Sequence, residues 1–425
     1  MRSSSLSRFL PVVLTAVLAV GGTLLPAAAS ADPGSAPTPT VLLPTGTVPA
    51  ECPHEIHTPP AVDDSETVAP GETTPTPLPV PDPPVGGERL GECAIVADPA
   101  AGPLPADLTS QGWLIADLDT GAVIAARDPH GRYRPASTIK VLLALVALEE
   151  LDLDTPIEAT ANDWSMEGDA CGVGPGGQYT TRDIVTGLLV VSGNDCANML
   201  ARELGGYDET LAKMNAKAEA LGALDTRAAS PSGLDAAGMS TSPYDLAVIF
   251  RAGMENDEFA AMIGLSSYQF PGYPARKDVP GDEDHPGYLM GTSNTLLRDG
   301  VPGMTVLGGK TGYTDDALKT FVGAFEKDGR KLLIVQMFGL TEGDNSYHDQ
   351  AVRMLEYGFA ADPSIAVGSL DTGVEKTSGE DQPAWAGSGT DAAAMGPLQL
   401  ILVGVLTLTA ASLVVLAVRR HRRRR

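Results

Sequence analysis

The composition of the stretch from Asp32 to about Leu108 limits this chain more than any single motif does. It is rich in Pro, Thr, Gly and Ala and has almost no apolar periodicity, so it cannot bury enough surface to offset its ordering entropy. It reads as a largely extended arm. The stretch from Ala361 to Pro397, rich in Gly, Ser, Asp and Pro, reads as a second linker. A packed domain is therefore expected over residues 109–360. With 43% apolar residues in 425, one sizeable core there is affordable in composition.

Inside that window the apolar period changes twice. Trp113-Leu114-Ile115-Ala116 and the run from Ala122 to Ala126 read as strands, with Asp119-Thr120-Gly121 as their turn. Helix-like segments follow over 138–151, 181–191, 195–204, 209–221 and 243–254. A strand-like approach from Met304 leads to Lys310, and a second hairpin over 320–325 and 331–338 turns at Lys327-Asp328-Gly329. A helix from Asp349 to Phe359 closes the domain. Strands at both ends around a helical middle predict an α+β fold, one sheet built from both ends with the helices packed on one side.

The chain ends carry topology signals. Arg2 and Arg8, an apolar run from about Phe9 to Leu25, and Ala29-Ser30-Ala31 read as a signal peptide over residues 1–31. Leu398 to Val418 is uncharged and long enough to span a bilayer. The six arginines and one histidine of residues 419–425 mark its cytoplasmic side. The expectation is a single-pass protein of the cell membrane with its bulk outside. The net charge is −25 even with those arginines included, which argues against nucleic acid and anionic headgroups as partners. Cys52, Cys93, Cys171 and Cys196 allow three pairings in an oxidising compartment. Cys52–Cys93 and Cys171–Cys196 each fall within one local region and are favoured. No two cysteines are spaced as zinc ligands, so neither metal nor cofactor is expected.

Three short segments carry chemistry. Ser137 and Lys140 sit three apart at the start of an apolar helical run, so one face presents both. A serine hydroxyl needs a base, and a lysine serves as one when a dry site or a neighbouring cation lowers its pKa. Ser192-Gly193-Asn194 lies between two helical runs, where Gly193 is expected to let the backbone bend. Its hydroxyl suits proton relay, and its carboxamide can hold both a lysine and a substrate amide. Lys310-Thr311-Gly312-Tyr313 follows two glycines; a lysine that stays charged, beside a hydroxyl at a strand edge, suits a carboxylate. The glycines would let a peptide approach closely enough to extend the sheet.

In this order and spacing the three segments resemble the signatures of the penicillin-binding proteins and serine β-lactamases. Gly193 at the middle of the second, together with Arg134-Pro135-Ala136-Ser137, Ser230-Pro231-Ser232-Gly233-Leu234 and Gly309 to Thr314, resembles the D-alanyl-D-alanine carboxypeptidases. The resemblance covers about Gln111 to Phe359. It implies a β-lactamase/transpeptidase-like fold, an antiparallel sheet flanked by helices with an all-helical subdomain. It also implies a peptidoglycan stem peptide ending in D-Ala-D-Ala as substrate, and β-lactams as inhibitors. By that resemblance Ser137 is the nucleophile and Lys140 its base, Ser192 carries the proton to the leaving amine, and Asn194 positions Lys140 and the substrate. Lys310 and Thr311 would bind the terminal carboxylate, and the N–H groups of Ser137 and Tyr313 would form the oxyanion hole.

Other activities fit the same scaffold. A D,D-endopeptidase would use the same residues. A serine β-lactamase needs fast activation of the deacylating water, often by a further carboxylate, and no Glu with an Asn companion stands out between Asn194 and Lys310. A non-catalytic wall-binding module is disfavoured because every motif position keeps its reactive side chain or required glycine.

Overall fold

The computed structural model describes residues 64–373 apart from Cys93. In chain order its strands are β1 (Ile95–Ala97), β2 (Gly112–Asp117), β3 (Ala122–Arg127), β4 (Pro156–Glu158), β5 (Gln178–Thr180), β6 (Ser267–Phe270), β7 (Tyr288–Gly291), β8 (Thr305–Thr314), β9 (Leu318–Lys327), β10 (Arg330–Gly339) and β11 (Gly368–Ser369). Its α-helices are α1 (Lys140–Glu150), α2 (Thr181–Val190), α3 (Asn194–Glu203), α4 (Tyr207–Ala220), α5 (Pro243–Met254), α6 (Asp257–Ile263), α7 (Thr295–Asp299) and α8 (Tyr347–Ala360).

The main sheet is antiparallel, in the order β1-β3-β2-β10-β9-β8, with β11 also pairing β3. N-terminal strands thus meet C-terminal ones at the β2–β10 contact, where Ile115 faces Ile334. Alternation along each strand divides the core in two. Leu114, Ala116, Val322 and Ala324 face the helical middle, while Trp113, Ile115, Phe321 and Phe325 pack with α8. The helix α1 is buried from Lys140 to Ala147, as a helix that is apolar all round from Val141 to Leu148 must be, and the helical middle packs around it. That burial is what places Lys140 away from water.

The short elements β4–β7, α6 and α7 lie outside the sequence reading. Strands of three or four residues are too short to show a period. The sheet also reaches beyond residues 109–360 at both ends, through β1 and β11, and Leu90, Val367 and Leu370 are buried. Residues 66–92 of the arm lie along the body. Arg132 donates to the carbonyls of Leu78 and Pro79 at 2.7 Å each, and Arg227 donates to that of Thr76 at 2.7 Å. Glu66 pairs with buried Arg134, just before the nucleophile segment. An extended proline-rich segment has no internal hydrogen bonds, so its carbonyls are open to donors of the body.

The Cys171–Cys196 disulfide is present. The Cys52–Cys93 pairing, the signal peptide, the span Leu398–Val418 and the basic tail lie outside the described residues. Among the described residues no helix is long and apolar enough to cross a membrane.

Candidate active site

The site lies where the start of α1, the α2–α3 turn and the edge strand β8 converge on a cleft of about 440 Å³. Ala136–Ile139 forms a tight 3-10 turn that hands Ser137, half-buried, to the cleft, with Lys140 one turn further on. Gly233 and Gly312 crowd this turn. A Cβ on Gly233 would lie 2.0 Å from the Ala136 carbonyl oxygen, and one on Gly312 would lie 2.9 Å from the Ser137 nitrogen. The glycine of the third motif is therefore required by the protein's own packing. It lets β8 press against the nucleophile turn, whereas the sequence reading reserved that space for the substrate. Thr320 on β9 adds a 2.9 Å hydrogen bond to the Pro135 carbonyl.

Lys140 is fully buried, and its Nζ has three neighbours. Ser137 Oγ lies at 2.9 Å and Asn194 Oδ1 at 2.7 Å, and the Ser232 carbonyl is the third. The carboxamide oxygen and the carbonyl only accept. A neutral amine gives one N–H to each and keeps its lone pair for the Ser137 hydroxyl. Burial first, and then the positive charge of Lys310, hold Lys140 far below the ordinary lysine range. In this geometry Lys140 can accept a proton from Ser137.

Asn194 is fixed from both ends, since its Nδ2 donates to the Glu167 carbonyl at 2.5 Å while its Oδ1 accepts from Lys140. The bend of this motif differs from expectation. Ser192 takes the left-handed backbone conformation, at φ 67°, while Gly193 has an ordinary φ of −58°. Glycine is needed at 193 for space: a Cβ there would lie 2.1 Å from Cys171 Sγ and 2.7 Å from Cys171 N. Asp195 supports the same loop, accepting from the N–H groups of Cys171, Gly172 and Val173 at 2.7, 2.9 and 3.1 Å.

Lys310 is also buried, and donates to Ser192 Oγ at 2.9 Å and to the Thr311 carbonyl at 2.7 Å. Burial pushes it down to about 7, with the charge of Asp169 opposing. Burial therefore works against the expected charged form of Lys310, which Asp169 and a bound carboxylate favour. Thr311 shares a 3.1 Å hydrogen bond with Ser293, and Gly312 and Tyr313 complete this wall.

All eight sequence-identified residues, Ser137, Lys140, Ser192, Asn194, Lys310, Thr311, Gly312 and Tyr313, are brought together here. The sequence reading missed the parts played by Ser232, Asp195, Thr320 and Asp169. Ser232 lies inside a quoted segment and Asp195 directly follows one, but their contacts span too many residues for spacing to reveal.

The D-alanyl-D-alanine carboxypeptidase (peptidase S11) family model matches residues 99–340. The chain is 49% identical over 271 residues to the D-alanyl-D-alanine carboxypeptidase DacB2 of Mycobacterium tuberculosis, covering 63% of this chain and 88% of the relative. A crystal structure of a D-alanyl-D-alanine carboxypeptidase from the same organism has a TM-score of 0.59 at 46% identity, over 64% of this chain and 99% of that one. The Streptomyces K15 DD-transpeptidase shares the fold, with a TM-score of 0.54 at 22% identity, over 61% of this chain and 99% of its own.

Proposed function

This chain belongs to the D-alanyl-D-alanine carboxypeptidase family, and on that premise we propose how its residues remove the terminal D-alanine from a peptidoglycan stem peptide. The enzyme is a serine-type carboxypeptidase. Lys140 takes the Ser137 proton as Oγ adds to the penultimate D-Ala carbonyl. The N–H groups of Ser137 and Tyr313 hold the oxyanion, an interaction worth about 3–4 kcal/mol per donor where measured in another hydrolase. Ser192, bonded to Lys310, gives a proton to the departing amine, and Lys310 with Thr311 holds the terminal carboxylate. Water then hydrolyses the acyl-enzyme. The observation that carries this reading is the placement of Lys140 Nζ, dry and with two acceptor-only partners, 2.9 Å from Ser137 Oγ.

A β-lactam acylates the same serine, and its ring opens without releasing a fragment. The full-length protein incubated with benzylpenicillin should gain the mass of one intact drug, and the Ser137→Ala variant should not. An unlabelled protein with intact drug would refute the assignment; rapid drug hydrolysis without an adduct would favour a β-lactamase. We also propose export to the cell membrane, with residues 398–418 as the anchor, from their composition and the arginines that follow. Labelled protein should then sediment with membranes, and a chain ending at Pro397 should not; equal sedimentation would refute the anchor.

A further inference from the structure

The loop over residues 167–173 is held more firmly than an exposed connection needs. Asn194 gives its side-chain N–H to the Glu167 carbonyl and its backbone N–H to the Asp169 carbonyl at 2.7 Å. Asp195 takes three further N–H groups, and the disulfide ties Cys171 to α3. Gly168, at φ +90°, packs so tightly that a Cβ would lie 2.6 Å from Asn194 Nδ2. The one ionisable side chain this loop brings to the cleft is Asp169. Among the described residues it is the only carboxylate lining the cleft with Ser137, Ser192 and Asn194. It is exposed, its carboxylate accepts no hydrogen bond among the described residues, and its charge acts on both Lys140 and Lys310.

We propose that Asp169 is a further catalytic residue, the general base that activates water for hydrolysis of the Ser137 acyl-enzyme. Resting on the acyl-enzyme reading above, the step balances as follows. Asp169 takes one proton from water as the water oxygen bonds to the acyl carbon. The adduct collapses, the bond from that carbon to Ser137 Oγ breaks, and Oγ recovers a proton from Lys140. Lys140 is thereby returned to the neutral amine that begins the next turnover, the proton held on exposed Asp169 passes to solvent, and the second water proton leaves with the acid product. Between Asn194 and Lys310 no Glu with an Asn companion offers a carboxylate for this role. It comes instead from the segment before Asn194, folded back by Asn194 itself.

The test separates the two half-reactions in the full-length protein. With benzylpenicillin, the Asp169→Asn variant should still form the adduct on Ser137, while release of that adduct slows by about 100-fold, the lower end of the range for a lost general base. With an acyl-D-Ala-D-Ala peptide, kcat and KM should fall together, as expected when deacylation becomes limiting. Asp169→Glu should recover part of the release rate, and added formate should speed release in Asp169→Ala. Unchanged release would overturn the proposal. So would loss of acylation with a shifted pH profile, which would make Asp169 a tuner of the lysines. Failure of the wild-type protein to form an adduct would instead count against the acyl-enzyme reading. A melting temperature equal to wild type guards against a folding defect, and formate rescue has no counterpart in a purely structural role.

Discussion

Replacing Cys171 and Cys196 together by serine removes the covalent tie across the second motif. The two are 25 residues apart, and closing a loop of that length in the unfolded chain is worth about 3.5 kcal/mol at 25 °C in the chain-entropy model. At about 2–4 °C per kcal/mol for a domain of this size, the melting temperature should fall by roughly 7–14 °C. The loop keeps its hydrogen bonds to Asn194 and Asp195, so the native fold should persist at room temperature. Asn194 will be held less firmly. If that weakens one ordinary hydrogen bond of about 1 kcal/mol, Lys140 is correctly placed less often and acylation by penicillin should slow about fivefold. Thermal unfolding by circular dichroism and the acylation rate constant measure the two effects. A melting temperature within 2 °C of wild type, on the order of half a kcal/mol, together with unchanged acylation would refute the claim that this disulfide braces the motif.

Gly193→Ala keeps an allowed φ but puts a methyl group against Cys171 Sγ and N, so overpacking should cost about 1–3 kcal/mol and slow acylation; wild-type stability and rate would show that space is not what selects glycine there. Lys310, at about 7 in the free enzyme, loses its proton above that pH, so KM for a peptide with a free C-terminal carboxylate should rise up to tenfold per pH unit there. The corresponding C-terminal amide should lack the rise, and identical profiles would refute the carboxylate role. For stability the sign is opposite to that of a paired lysine. Lys310 is depressed from 10.5, so its burial penalty is fully present below about 7 and is relieved between about 7 and 10.5, which chemical denaturation across that window measures against Lys310→Met.

Much of the site was legible because its signals are local. Ser137 and Lys140 share a helix face by spacing alone, and the strand and helix periods placed β2, β3, α1 to α5, and β8 to α8. The reasons behind several residues were not legible. Gly193 was read as a hinge, but it is a space for the disulfide, and the left-handed turn falls on Ser192. The arm was read as unable to order itself, which is sound for its own side chains. Its carbonyls are held by Arg132 and Arg227, donors more than fifty residues away in sequence.

The sequence by itself determined the sheet built from both chain ends, the helical middle and the identity of the eight motif side chains. Period and composition act over a few residues and survive without knowledge of partners. Only the tertiary structure decided the burial and charged neighbours of the two lysines and the presence of Asp169 in the cleft. A pKa depends on burial and on charges a few ångströms away, and those neighbours come from segments separated by dozens of residues.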